Sequence, residues 1–170
     1  LVFGPRHGLL TKILRRKRQR KRIALENTLK SVFHLSENSG FMRKEFDISE
    51  LAKERNQDLA STEIEIGALV AARLARHVDA EGDTEWSGKA RFQLEESGWH
   101  RACEIVRNHR LWELYLTNAV QYQSDHVHDD AEEIEHIIGE GIVQRIEERL
   151  RNPILDPHGK LIPRRDQITA

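Results

Sequence analysis

The chain has 170 residues, of which 38% are hydrophobic and 6% aromatic, enough for one domain or two small ones with a modest core. Its formal net charge of −1 hides an asymmetry, since residues 1–22 hold nine Lys or Arg and no acid, whereas the rest holds 18 basic and 28 acidic side chains. One cysteine, Cys103, excludes an internal disulfide and a Cys-based zinc module, and no apolar run approaches the roughly 20 residues that span a bilayer, so the chain reads as soluble.

The basic head comes first. Leu1-Val-Phe-Gly-Pro precedes Arg15-Arg-Lys-Arg-Gln-Arg-Lys-Arg22, and its charge suits a nucleic-acid arm, a solvated linker or a juxtamembrane cytosolic anchor. Without an initiating Met, Leu1 reads as the start of a fragment or of a tag-cleaved chain.

Leu25, Leu29, Val32, Phe33 and Leu35 form a helical stripe that Asn38-Ser-Gly40 should stop. Asp47 is placed to cap a helix over 48–55, with Glu50 positioned for a capping box. Ser61 or Thr62 can cap a third helix through Ile66, Leu69, Val70 and Leu74, with Arg73, Arg76 and His77 late on it. Glu81-Gly-Asp, Trp86-Ser-Gly and Phe92-Gln-Leu then read as a small hairpin, and three helices followed by a hairpin is the order of a winged helix-turn-helix. Its third helix would be the DNA reader, with Ser61, Thr62 and Arg73 as the candidate contacts. Glu63 and Glu65 in its first turns weigh against DNA, because carboxylates repel phosphates, although a carboxylate does accept a bond from cytosine.

A fourth helix starting near Glu95 takes Cys103 as a small core residue and carries His109 and Glu113, four apart and one helical turn from each other. Farther on, His128, Glu132, Glu135 and His136 fall within about one quadrant of a helix at roughly 100° per residue. Imidazole and carboxylate converging there suit a first-row divalent metal such as Mn, Fe, Co, Ni or Zn; the plainer alternative is an acidic helix facing water. Two antiparallel helices, each offering a His and a Glu, can close a coordination shell between them. Ala131, Ile134, Ile138 and Ile142 add an apolar stripe that suits a partner subunit. A turn-rich segment, Asn152-Pro-Ile-Leu-Asp-Pro-His-Gly159-Lys-Leu-Ile-Pro163, follows.

His109-Arg-Leu-Trp-Glu113, Val127-His128-Asp-Asp-Ala-Glu132-Glu-Ile-Glu135-His136 and Asp156-Pro-His-Gly159-Lys-Leu-Ile-Pro163 together resemble the metal-binding and dimerisation domain of the diphtheria-toxin-repressor family. The resemblance implies one metal site from His109, Glu113 and His128. It implies another from Glu132, Glu135 and His136, with a carboxylate where iron-responsive members carry Cys and manganese-responsive ones carry Glu. Oxygen in place of a thiolate tilts the expected metal to Mn2+ or Fe2+, with Zn2+ as a further candidate. In the family a first-helix residue completes the site; the matching positions are Asn27 and Lys30, with Glu26 beside them. A protonated lysine cannot coordinate, so Asn27 or Glu26 would be the additional ligand and Lys30 a partner for Glu135. Phe3-Gly-Pro-Arg-His-Gly-Leu-Leu10 with the basic run resembles the cytosolic exit of the last membrane helix in metal-uptake ABC permeases.

The expected fold is mainly α, a winged helix-turn-helix with a small β-hairpin followed by a helical metal-binding dimerisation domain. The expected divisions are a basic juxtamembrane or linker segment at 1–22, a winged helix at 23–98 and the metal domain at 99–170. The expected function is Mn2+ or Fe2+ sensing by a homodimer at the cytoplasmic face of the membrane, as the tail of an ABC transporter permease; the alternative is a free-standing metal-dependent repressor. Nothing resembles HExxH, a phosphate loop or a nucleophile with its base, and only one Glu-x-x-His of the kind that di-iron bundles duplicate is visible, so no catalysis is expected.

Overall fold

The computed structural model describes residues 6–78, 90–119 and 140–164, with side chains from Leu14 onward. Helix α1 runs from Arg6 to Asn38, so the basic run and the apolar stripe share one helix of 33 residues, about 50 Å long at 1.5 Å per residue. Arg15 to Arg22 are exposed, and burial begins near Glu26 as the stripe of Leu29, Val32, Phe33 and Leu35 enters the core. The stop falls at the expected place. Gly40 takes φ +64°, Phe41 follows at φ +61°, and Phe41 N donates to Ser36 O at 2.8 Å, closing the open carbonyls of the last turn. The left-handed Phe41 is held by its ring, edge-on to Phe33 and Trp99 at 5.5 and 6.0 Å.

Strand β1 (Glu45–Asp47), α2 (Ile48–Glu54) and α3 (Leu59–Ala71) follow. Asp47 does precede α2, but its side chain makes no capping bond. The expected capping box is absent as well, because both guanidinium ends of Arg43 bind Glu50 at 2.7 Å and hold its carboxyl below the usual range. The cap of α3 is Asp58, three residues ahead of Ser61, accepting from Ser61 N at 2.8 Å and from the Ser61 hydroxyl at 2.7 Å. Ser61 and Thr62 therefore lie inside the helix rather than at its cap.

Helix α3 also ends earlier than its periodicity suggests. Ala72 is its C-cap, Arg73 takes φ +59°, and Arg76 and His77 lie on strand β2 (Ala75–Val78) instead of a helix. Strand β2 pairs antiparallel with β3 (Arg91–Leu94), which pairs antiparallel with β1 on its other side. The expected hairpin thus has arms at 75–78 and 91–94, while residues 81–88 lie outside the described residues. Phe46 sits opposite Phe92, both buried, with ring centroids 6.0 Å apart.

Helix α4 (Glu96–Ala119) serves two cores. Its first half, through Ala102, Cys103, Ile105 and Val106, packs with α1, α2, α3 and the sheet; its second half, through Leu111, Trp112 and Leu116, packs on Val143 and Ile146 of α5 (Glu140–Arg149) and on Ile162. Cys103 is buried as expected, and burial pushes its thiol up to about 11. No described helix is long and apolar enough to cross a membrane.

Candidate metal centre

The sequence marks α4 as a ligand helix, and the fold buries the residues that carry the mark. His109 and Glu113, 4% and 3% exposed, point the same way one turn apart, with His109 Nε2 at 3.0 Å from Glu113 Oε1. Facing them from α1 is Lys30, 6% exposed, whose Nζ lies 3.2 Å from His109 Nδ1. His128, Glu132, Glu135 and His136 lie outside the described residues. Among the described residues no three His, Cys, Asp or Glu side chains gather closely enough to hold a metal ion.

Whether the described pair fits a metal depends on the ring between its two partners. An ammonium only donates and a carboxylate only accepts, so His109 accepts at Nδ1 and donates from Nε2. In this arrangement the Nδ1 lone pair is engaged by Lys30 and Nε2 carries the proton given to Glu113. His128, the third member of the expected set with His109 and Glu113, lies outside the described residues.

Of the possible first-helix ligands, Glu26 is engaged elsewhere. Glu26 accepts from Arg101 of α4 at 2.7 Å, with Arg22 at 3.8 Å. Asn27 is half-buried on the same turn, and its backbone carbonyl accepts from the Ser31 hydroxyl at 3.0 Å. Glu26, Lys30 and Glu37 of α1 thus meet Arg101, His109 and Arg110 of α4 in the same order along the two helices.

Two arginines missed at the sequence level organise the surroundings. Arg110 binds Glu37, accepts Asp156 as a second carboxylate partner at 3.4 Å from Nε, donates to Leu161 O, and lies 5.6 Å over the Phe33 ring. Arg107 pairs with Glu147 of α5 and donates to Pro163 O at 3.2 Å. The only advance signal was spacing, since Arg107 and Arg110 repeat at three residues on a helix that buries most of its surface. Asp156 also accepts from His158 N and Lys160 N at 2.8 Å each, closing the turn in which Gly159 takes φ +77°. Crowding by burial and by Lys160, Lys30 and Arg110 lowers His34 to about 4.

The DNA-reading candidates do not form a basic face. Thr62 is fully buried with its hydroxyl on Asp58 O at 3.0 Å, Ser61 is spent on Asp58, and Arg73 lies past the helix. Glu65, expected to confront phosphates, instead turns inward to Arg55 at 3.1 Å and to the Thr28 hydroxyl at 2.9 Å. The outward residues of α3 are Ala60, Ile64, Ala68 and Ala71, with Ile64 74% exposed.

A winged helix joined through a long shared helix to a second helical core, with a buried His–Glu pair on that helix, defines a metalloregulator-like protein. Residues 95–164 match the family described as iron dependent repressor, metal binding and dimerisation domain. A probable metal transport system membrane protein of Chlamydia trachomatis is 29% identical over 167 residues, covering 97% of this chain and 35% of the relative. The iron-dependent repressor IdeR of Mycobacterium tuberculosis is 30% identical over 97 residues, covering 57% of this chain and 42% of the repressor. The solved structure of a manganese-dependent transcriptional repressor in complex with manganese superposes with a TM-score of 0.68 at 29% identity, covering 84% of this chain and 59% of that one. Residues 95–164 are thus similar to the metal-binding and dimerisation domain of iron-dependent repressors. It spans about a third of the length of the chlamydial relatives it matches.

Proposed function

We propose that this chain is a metal-sensing regulatory domain, the cytosolic tail of a metal-transport permease, and that it regulates uptake when cytosolic Mn2+ or Fe2+ rises. The observation that carries this reading is the match along 97% of the chain to a protein named as a metal transport membrane protein, within which residues 95–164 match a metal-binding domain. The continuous α1 supports it, because a helix of 33 residues joins the exposed basic run rigidly to the core. A basic run at that position suits the anionic inner face of a membrane.

The ligand sets in this reading are His109, Glu113 and His128 at one site and Glu132, Glu135 and His136 at the other. Oxygen-rich donors favour Mn2+ or Fe2+ over softer ions, and Zn2+ is the chief competitor. The chain divides into a basic segment at 1–22, a winged helix at 23–98 and a metal-binding, dimerising part at 99–170, and it acts as a homodimeric regulator and not as a catalyst. Metal shifts the arrangement of the dimer by binding one arrangement better than the other.

The alternative, a free-standing metal-dependent repressor, is favoured by the winged helix and by the repressors that share it. The uncharged outward row of α3 speaks against it, since DNA affinity comes mainly from cations placed on phosphates.

A calorimetric Mn2+ titration of the purified chain, beside Glu132→Ala/His136→Ala and with Fe2+ and Zn2+ as competitors, tests the sensor. Saturable binding lost in the double variant is the expected result; no binding by the unaltered chain overturns the reading. A metal-dependent, operator-specific gel shift would favour the repressor instead.

A further inference from the structure

The basic run of α1 stands clear of the rest of the molecule. From Ile23 to Glu37 no residue of α1 is exposed, so the core flanks the helix on every side, whereas Leu14 to Arg22 are all exposed. The projecting part is about 13 Å of helix at 1.5 Å per residue. Every residue from Arg15 to Arg22 except Gln19 is cationic. At roughly 100° per residue these cations leave no side of the helix bare and no gap wider than about 100°. Among the described residues Arg15, Arg16, Lys17, Arg18, Arg20 and Lys21 pair with no acid, since the first carboxylate along α1 is Glu26, which Arg22 and Arg101 hold.

We propose that this run stands upright in the headgroup layer of a bilayer, as a ring of cations that binds the phosphates of anionic phospholipids on all sides. The inference rests on the membrane-tail part of the reading above. Three physical reasons support it. Arg16 with Arg20, Lys17 with Lys21 and Arg18 with Arg22 are like charges four residues apart, which oppose the helix unless anions surround it. A helix that lies flat on a bilayer buries an apolar side, and this run has none. A DNA duplex alongside would meet only the cations on its own flank, and the core that surrounds α1 from Ile23 onward blocks a flat approach at that end. The length also fits, because about 12 Å of run crosses a headgroup layer of roughly 5 to 8 Å and reaches into the adjoining water.

The test is sedimentation of the full chain with vesicles of phosphatidylcholine alone and of phosphatidylcholine mixed with phosphatidylglycerol. The expected result is binding to the mixed vesicles only, weakened by added salt. Three paired substitutions sample three flanks of the helix: Arg16→Gln/Arg20→Gln, Lys17→Gln/Lys21→Gln and Arg15→Gln/Arg18→Gln. Each should lower the partition coefficient by a similar factor, about tenfold or more. A loss confined to one pair means one-sided contact and overturns the ring. Equal binding to both kinds of vesicle, or none to the mixed ones, overturns it too. So does a tighter hold on a double-stranded oligonucleotide, measured in competition at equal phosphate, which would assign the run to nucleic acid.

Mn2+ calorimetry on the same proteins without vesicles keeps this inference apart from the sensor reading. The substituted side chains are exposed and none belongs to a ligand set, so each variant should take up Mn2+ as the unaltered chain does. A chain that binds Mn2+ and ignores anionic vesicles overturns the ring and leaves the sensor. A chain that binds the vesicles through all three flanks and takes up no Mn2+ keeps the ring and overturns the sensor.

Discussion

Both terminal nitrogens of Arg110 on α4 bind the carboxylate of Glu37 on α1, at 2.9 and 2.8 Å. Arg110 is 2% exposed, and the same guanidinium also faces Asp156 and covers the Phe33 ring, so one residue joins the winged-helix core, the second core and the C-terminal turn. Removing it would leave Glu37 and Asp156 without their shared cation. Arg110→Ala should lower stability by about 3 to 5 kcal/mol, the usual cost of breaking a buried pair, read from the urea midpoint at unchanged slope. Arg110→Lys should recover only part of this, because an ammonium cannot grip Glu37 with two parallel bonds. Equal stability of Arg110→Ala and the unaltered chain would show that the network is idle.

His34 makes stability fall in acid. Burial, with Lys160, Lys30 and Arg110 nearby, lowers it to about 4, while Glu37 opposes the shift. The folded pKa is below the unfolded value near 6.5, so the unfolded chain takes up the proton first. The stability due to neutral His34 is whole above pH 6.5 and is lost as pH falls toward 4, by at most about 3 kcal/mol. Urea unfolding of His34→Gln beside the unaltered chain at pH 7 and pH 5 isolates this part, and the gap between them should narrow in favour of the variant at pH 5. A gap independent of pH would refute the assignment.

Gly98, in the first turn of α4, lies against Leu74 in the link from α3 to β2, and a Cβ there would sit 1.8 Å from the backbone oxygen of Leu74. Backbone cannot swing aside as a side chain does. Gly98→Ala should therefore cost about 2 kcal/mol or more, despite the roughly 1 kcal/mol that alanine returns as a better helix former. Thermal unfolding measures it, and a rise in midpoint would show that α4 shifts freely.

Cys103 should be inert while the chain is folded. Its thiol is 3% exposed and pushed up to about 11 by burial, so it presents little thiolate at neutral pH and no path to a reagent. A disulfide reagent at pH 8 should label it only after denaturant is added. Rapid labelling of native protein would place Cys103 at a surface.

Local signals carried much of the site and fold. The stripe from Leu25 to Leu35 and its stop at Asn38-Ser-Gly40, the start of α4 near Glu95, the burial of Cys103, and the His109/Glu113 pair one turn apart all follow from helical periodicity and end chemistry. The α3 cap and tail were misread for a reason equally local in origin. Asp58, Ser61 and Thr62 are all good caps, and the choice among them depends on where the preceding turn releases the chain. Ala75 to Val78 continues a helical pattern in sequence, yet becomes a strand because β3 offers it a ladder.

What the sequence determined by itself is therefore the inventory: which segments are helices, that a winged helix precedes the helix carrying His109 and Glu113, and that these two share a face. Only the tertiary structure decided what answers that pair, because Lys30 is 79 residues away from His109 along the chain and meets it solely through the crossing of α1 and α4. Periodicity reports neighbours within a helix. Which buried charge faces which across two helices is set by their packing, and in a dry interior that pairing outweighs the intrinsic preference of either residue for water or metal.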